Sequence, residues 1–441
     1  VLIFLSTALL AIPWAQDYTV NDLGGAAPNL DTWPGALNDR GQVAGAMEIP
    51  APPGFTAYHA FFYDGQQLID IPPIVPNLAF GYAINIQGYV FGQSSAQAQN
   101  IHAFHWDGTQ THDVHVGNRN FSTVKAVNAA GMEIGIYSIQ NPVGIVDQRR
   151  AFFRYQGNWQ DLGTFGGEES QASGINDFGD VVGFARTPAG KLHAFLWQGG
   201  SLMDLGHLGD GYSNAFAINR SKQIVGLSRT PAGQYVGFLW QNGNMVQLPS
   251  LGGGTSDARG INDFGSIVGN AALANGLQRA VLWQNGVAID LNTRIPANGG
   301  ITLTSAGDIN ELGEIMATGL DATDVKRAFL LSPILDQPSL SPILPGIAGH
   351  ENYLTGRGFT PLGRLAVVYG FSTGSYPVPG CPGLYLDIYQ PTLGRMAHAN
   401  PAGRLFETFQ VPATLRGRVV YVQVIDIALC KVSLLVGQDL R

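Results

Sequence analysis

Residues 170–206 read SQASGINDFGDVVGFARTPAGKLHAFLWQGGSLMDLG, and four short strands separated by three turns are legible in them. Gln171 to Asn176 alternates bulky and small side chains, the period-two pattern of a strand with unequal faces. Asn176-Asp177-Phe178-Gly179 is turn chemistry, because Asn and Asp bond their own backbone and Gly accepts a positive φ. Asp180 to Phe184 is a second strand, Thr187-Pro188-Ala189-Gly190 a second turn, and Leu192 to Trp197 a third strand. Gln198-Gly199-Gly200 then turns the chain into a fourth, Leu202 to Gly206. Strands joined this tightly make an antiparallel meander of four in about 43 residues, the size of one propeller blade.

The same phrases recur along the chain. An apolar residue followed by Asn stands at Asn38, Asn85, Asn128, Asn176, Asn219, Asn262 and Asn310, with successive copies 43 to 48 residues apart. The third strand returns as His59-Ala60-Phe61, His102-Ala103-Phe104, Arg150-Ala151-Phe152, Val236-Gly237-Phe238, Arg279-Ala280-Val281 and Arg327-Ala328-Phe329. The fourth is marked by Asp22, Asp70, Asp113, Asp161, Asp204, Gln247 and Asp290. A period in the forties marks a repeat architecture. The order of the phrases supplies a closure. Tyr18 to Gly24 is a fourth-strand copy that precedes every complete unit, and the last unit stops after its third strand at Leu331. The expected fold over residues 17–333 is therefore an all-β, seven-bladed propeller whose N-terminal strand completes the last blade and removes the open edges. Small residues two and four before the Asn (Ala172 and Gly174, Ala215 and Ala217, Ala258 and Gly260) suit strands crowded around an axis.

Gly174-Ile175-Asn176, Val181-Val182-Gly183, His193 to Trp197 and Asp204-Leu205-Gly206 resemble the signature of the HAF repeat of exported bacterial proteins. The resemblance covers about residues 17–333 and weakens in the first three units and the last. It implies an extracytoplasmic location and a propeller-like array, and it brings no catalytic motif. Arg150, Arg279 and Arg327 stand where the signature has His, which argues against a catalytic role for that position.

Val1 to Ile12 is an apolar run that breaks at Pro13 and meets polar sequence at Gln16 and Asp17. It reads as the core and cleavage region of a secretory signal peptide, residues 1–16, truncated at its start. It is shorter than the roughly 20 apolar residues of a membrane span. No second such run follows, so the expected location is extracellular or periplasmic, without membrane insertion. A net charge of −8 with no basic block argues against nucleic acid and anionic lipid as partners. Residues 334–346 are a proline-punctuated linker. Residues 347–441 lose the repeat and read as a small β-sandwich, with strands at Arg364 to Tyr369, Tyr385 to Ile388, Leu405 to Val411 and Val419 to Ile425. Its Val411-Pro412-Ala413 and Gly417 to Gln423 resemble closing phrases of accessory modules on secreted bacterial proteins, which suggests an adhesive or spacer role. The two cysteines, Cys381 and Cys430, are expected to form a disulfide, worth about 4 kcal/mol by loop entropy.

The chemistry-bearing residues mostly have packing explanations. Of four clustered imidazoles, His102, His105, His112 and His115, alternation lets only His105 and His112 share a face, two ligands at most without a neighbour's help. No resident metal or cofactor is expected. Trp106, Trp197, Trp240 and Trp283 repeat at one position and read as packing between blades. No serine elbow, His-Glu-x-x-His or phosphate loop is present.

Variety gathers on one face, where the connections from second to third and from fourth to first strands lie. Near the axis there, the positions three and five before the Asn hold Arg259, Asp257, Tyr82, Lys125, Asn214, Gln171, Trp33, Phe80 and Phe216. These are the candidate ligand contacts, since function resides on variable surfaces held by a rigid scaffold. The expectation is a secreted, monomeric, non-enzymatic binding or scaffold protein that recognises a glycan or an extracellular protein. The alternative is an extracellular polysaccharide hydrolase or lyase using axial carboxylates such as Asp257, Glu168 or Glu169.

Overall fold

A computed structural model describes residues 17–52, 56–117, 120–140, 147–296, 300–335 and 337–441. The expected signal peptide, 1–16, lies outside the described residues. The chain divides into two compact units, Tyr18–Ser332 and a C-terminal one from Pro333. Among the described residues no helix is long and apolar enough to cross a membrane.

The first unit is all β, and among its described residues the strands form seven four-stranded antiparallel sheets. In chain order the first strands of these sheets are Thr32–Leu37, Ala79–Ile84, Ser122–Val127, Ser170–Ile175, Ser213–Ile218, Gly252–Ile261 and Thr302–Ile309. Each of the first six is followed by its own second, third and fourth strands, as in Val181–Arg186, Leu192–Gln198 and Ser201–Asp204 of the fourth sheet. The seventh sheet takes its fourth strand from the chain start: Tyr18–Asp22 lies beside Lys326–Pro333, with Leu23 N–H donating to Ala328 C=O at 3.0 Å.

The repeated residues have distinct jobs. Phe61, Phe104, Phe152, Phe195, Phe238 and Phe329, with Val281 in the sixth sheet, are fully buried in clusters that join neighbouring sheets. Burying a side chain of this size contributes about 1.5–3 kcal/mol. The His of the third strand and the Asp of the fourth form a cross-strand pair: Nδ1 of His59, His102 and His193 meets Asp70, Asp113 and Asp204 at 2.7–2.8 Å. Arg150 and Arg279 reach Asp161 and Asp290 from the same position. The Asp is thus a structural hydrogen-bond partner.

The Asn of six of the units does more than make a turn. Asn176 Oδ1 accepts from Phe178 and Asp180 N–H at 3.0 Å, while its Nδ2 donates to Asn219 C=O in the next sheet. Asn38 reaches Asn85, Asn128 reaches Asn176, Asn219 reaches Asn262 and Asn262 reaches Asn310 in the same way. Asn310 then donates to Asn38 C=O at 3.0 Å, across 272 residues. That bond joins the seventh sheet to the first.

In the C-terminal unit a three-stranded sheet, Ser339–Leu340, Glu351–Arg357 and Leu405–Gln410, and a five-stranded sheet built around Arg364–Gly370 and Val419–Asp426 share one core. Cys381 and Cys430 are disulfide-bonded. The linker expected at 334–346 needs correction. Ser339–Leu340 pairs with Glu351–Arg357, and Leu340, Ile343 and Leu344 are buried, so this stretch from Ser339 belongs to the C-terminal unit. Its prolines limit hydrogen bonding without preventing the leucines and isoleucine between them from filling the core.

Candidate functional site

Every first strand carries the same irregularity. The pairing of first with second strand skips one residue between the positions four and two before the Asn. The skipped residues are Gly35, Tyr82, Lys125, Ser173, Phe216, Arg259 and Gly307. A β-bulge leaves its extra residue out of the ladder and re-aims its side chain. Here the large ones reach toward neighbouring first strands. Lys125 Nζ stands 3.6 Å from the centre of the Tyr82 ring, and the Arg259 guanidinium 5.6 Å from that of Phe216. Where the gap closes, only Gly fits: a Cβ on Gly35 would lie 2.2 Å from Gly81 C=O.

The bulge also explains the Gly of Val-Val-Gly. Two residues before the skip the first strand presses on the second: a Cβ on Gly183 would stand 1.9 Å from Gln171 C=O. That phrase therefore serves the geometry that sets the bulged side chains.

The sequence-derived candidates fall into two groups that the fold brings together and two that stand apart. Trp33, Phe80, Tyr82 and Lys125 form a continuous run with Tyr58 of the first sheet's third strand, Ala57–Tyr63. Centroid steps from Trp33 to Tyr58, Phe80 and Tyr82 are 5.4, 5.5 and 6.1 Å. These rings are half-buried and belong to none of the core clusters. Asp257, Arg259 and Phe216 form the second group, with Arg259 donating to both oxygens of Asp257 at 3.2 and 2.7 Å. Gln171 bonds Glu169 at 2.9 Å, and Asn214 is set apart by a buried Oδ1 that has no hydrogen-bond partner among the described residues.

The electrostatics follow from burial. It lowers the Lys125 ammonium to about 8, helped by the neighbouring Arg149 guanidinium. It raises the Tyr82 phenol and the Asp257 carboxyl, with Arg259 opposing the latter. The carboxylates considered for acid–base chemistry are engaged: Asp257 by Arg259, and Glu169 by Arg186 Nε at 3.0 Å. Glu168 is exposed. Of the metal candidates, His112 Nε2 is tied to Asp107 Oδ2 at 2.7 Å, and His105 Nε2 is buried with no hydrogen-bond partner among the described residues. Among the described residues no group of three or more His, Cys, Asp or Glu is placed to hold a metal ion.

Sequence reasoning missed Tyr58, Arg149 and Lys326, whose ammonium stands 5.8 Å from the Trp33 ring centre. All three lie on third strands, away from the repeat position that flagged the others. It also missed the role of four acids one residue beyond the Asn. Asp177, Asp263, Glu311 and Asp39 accept the backbone N–H of Ala129, Arg220, Asp263 and Glu311 of the preceding sheet at 2.7–3.2 Å.

No protein-family model and no curated protein sequence matches this chain. Among solved structures it is similar to TolB from Acinetobacter baumannii, at 11% identity and a TM-score of 0.39. That alignment covers 67% of this chain and 64% of TolB, under two thirds of that protein. It is also similar to a mutant of AofleA from Arthrobotrys oligospora, at 10% identity and a TM-score of 0.30, covering 90% and 94% of the two chains. Likenesses this distant decide neither fold nor activity.

Proposed function

We propose that residues 18–332 form a seven-bladed β-propeller of HAF-type repeats, followed by a β-sandwich spacer or adhesive module, in an exported monomeric binding protein. The ligand is a glycan or an extracellular protein, taken up on the face where the bulged side chains gather. One observation carries the reading. The aromatic and charged residues on that face stand outside the cores, while its axial carboxylate Asp257 is clamped by Arg259. The Asn relay that runs from Asn310 back to Asn38 supports the ring, and the disulfide supports export.

The test replaces Arg259, Asp257 and Tyr82 together by Ala. Removing the ion pair as a unit avoids stranding a half-buried charge. The variant is expected to melt within a few degrees of the parent, as about 1 kcal/mol would dictate, and to lose capture on glycan and protein arrays. Turnover of a polysaccharide that disappears on replacing Asp257 or Glu168 alone would establish the hydrolase or lyase reading instead.

A further inference from the structure

The run of rings described above ends in a lysine on both sides. Lys326 Nζ lies over Trp33 at 5.8 Å, and Lys125 Nζ over Tyr82 at 3.6 Å. Neither ammonium has a carboxylate within ion-pairing distance among the described residues. Four arginines of the neighbouring strands are paired instead: Arg186, Arg229, Arg259 and Arg327 are each bound to an acid, Glu169, Asp210, Asp257 and Asp321. Near Lys125 the local charge is further raised by Arg149, which rests on Phe121. In a molecule of net charge −8, cations left uncompensated at two ends of one aromatic surface are a specific arrangement.

The four half-buried rings stand outside the core clusters in mutual contact, and Tyr and Trp combine an apolar face with a polar edge. The apolar C–H faces of pyranose rings stack on surfaces of this kind, and centroid steps of 5.4–6.1 Å are comparable with the spacing of successive sugar rings. A neutral glycan would leave both lysines without a counter-charge. An anionic one supplies it, in a site where partial desolvation strengthens the pairing.

We propose that Trp33, Tyr58, Phe80 and Tyr82 form a platform for an acidic oligosaccharide, whose anionic groups meet Lys125 and Lys326. This rests on the binding reading above and names its ligand class. Uronate carboxylates and sulfate esters share the required chemistry.

The experiment titrates the full chain with oligogalacturonate, its methyl ester, a sulfated malto-oligosaccharide and the unsulfated parent, following intrinsic fluorescence and heat. At least one acidic oligomer is expected to bind about tenfold tighter than its neutral counterpart, the effect of two exposed-to-half-buried ion pairs. Lys125→Met and Lys326→Met keep the aliphatic stems over the rings. Each should reduce the acid's affinity about threefold to fivefold and leave the neutral counterpart unchanged. Preference for the uronate or for the sulfate identifies the source of the anion. Equal binding of acidic and neutral partners, insensitivity to both substitutions, or stronger binding of poly-glutamate than of either acidic sugar would overturn the proposal. The broader reading fails separately, by absence of any glycan or protein capture on the arrays.

Discussion

Asn262 shows how much one repeated side chain carries. Its residue is 1% exposed, its Oδ1 accepts from Ser266 N–H at 3.0 Å and its Nδ2 donates to Asn310 C=O at 3.1 Å. Asn262→Ala strands a buried donor in its own turn and a buried acceptor in the next sheet. Each orphaned group costs about 1–3 kcal/mol, so the thermal midpoint should fall by several degrees. Asn244→Ala, at an exposed turn, should stay within about 0.5 kcal/mol of the parent. Equal midpoints for the two variants would contradict the role assigned to the relay. The turn half of this role is legible in Asn-Asp-x-Gly. The other half needs a partner 43 to 48 residues away, which no local pattern reveals.

Among elements, Tyr18–Asp22 has the largest leverage. Removing residues 17–24 exposes the edge of Lys326–Pro333 and uncovers a cluster to which Tyr18 contributes a side chain 4% exposed. The truncated protein should aggregate or melt well below the parent, because unpaired edges template association. Unchanged melting and solubility would sink the closure. This pairing was readable from the order of the phrases, as were the first-to-fourth strands of the regular units. The bulges were not, since alternation counts residues and does not show which one leaves the ladder. Their trace is a large or charged residue between two small ones, as in Gly81-Tyr82-Ala83, Ala215-Phe216-Ala217 and Ala258-Arg259-Gly260. That trace located part of the candidate site, whereas Tyr58 and Lys326 join it only through contacts between sheets.

At the scale of the whole molecule, the buried acids on either side of the repeated Asn are expected to set the pH dependence of stability. Burial raises Asp39 to about 7, Asp263 to about 6 and Asp308 to about 6, and raises Glu311 as well, with neighbouring acids adding to the effect on Asp39 and Glu311. A carboxyl with a raised folded pKa keeps a proton that the unfolded chain has released, so these groups lower stability as pH climbs from about 4 to 7. Asp107 and Asp321, held below the usual carboxylate range chiefly by hydrogen bonds from His112 and Thr323, act in the opposite sense and only at lower pH. The urea midpoint should therefore be higher at pH 4.5 than at 7.5, and Glu311→Gln should shrink the difference. A midpoint that rises toward pH 7.5, or a variant with an unaltered difference, would refute the assignment.

The joining of Tyr18–Asp22 to Lys326–Pro333 also sets an order of events. Thr19 Oγ1 donates to Ser332 C=O across 313 residues, so Tyr18–Asp22 waits for its partner until all seven first strands have been made. Contacts this remote in sequence form slowly, after loop closure has been overcome. A chain halted before Lys326–Pro333 keeps an unpaired edge. Synthesis of that strand is thereby coupled to the pairing, and a chain ending before it is distinguishable to proteolysis by the open edge.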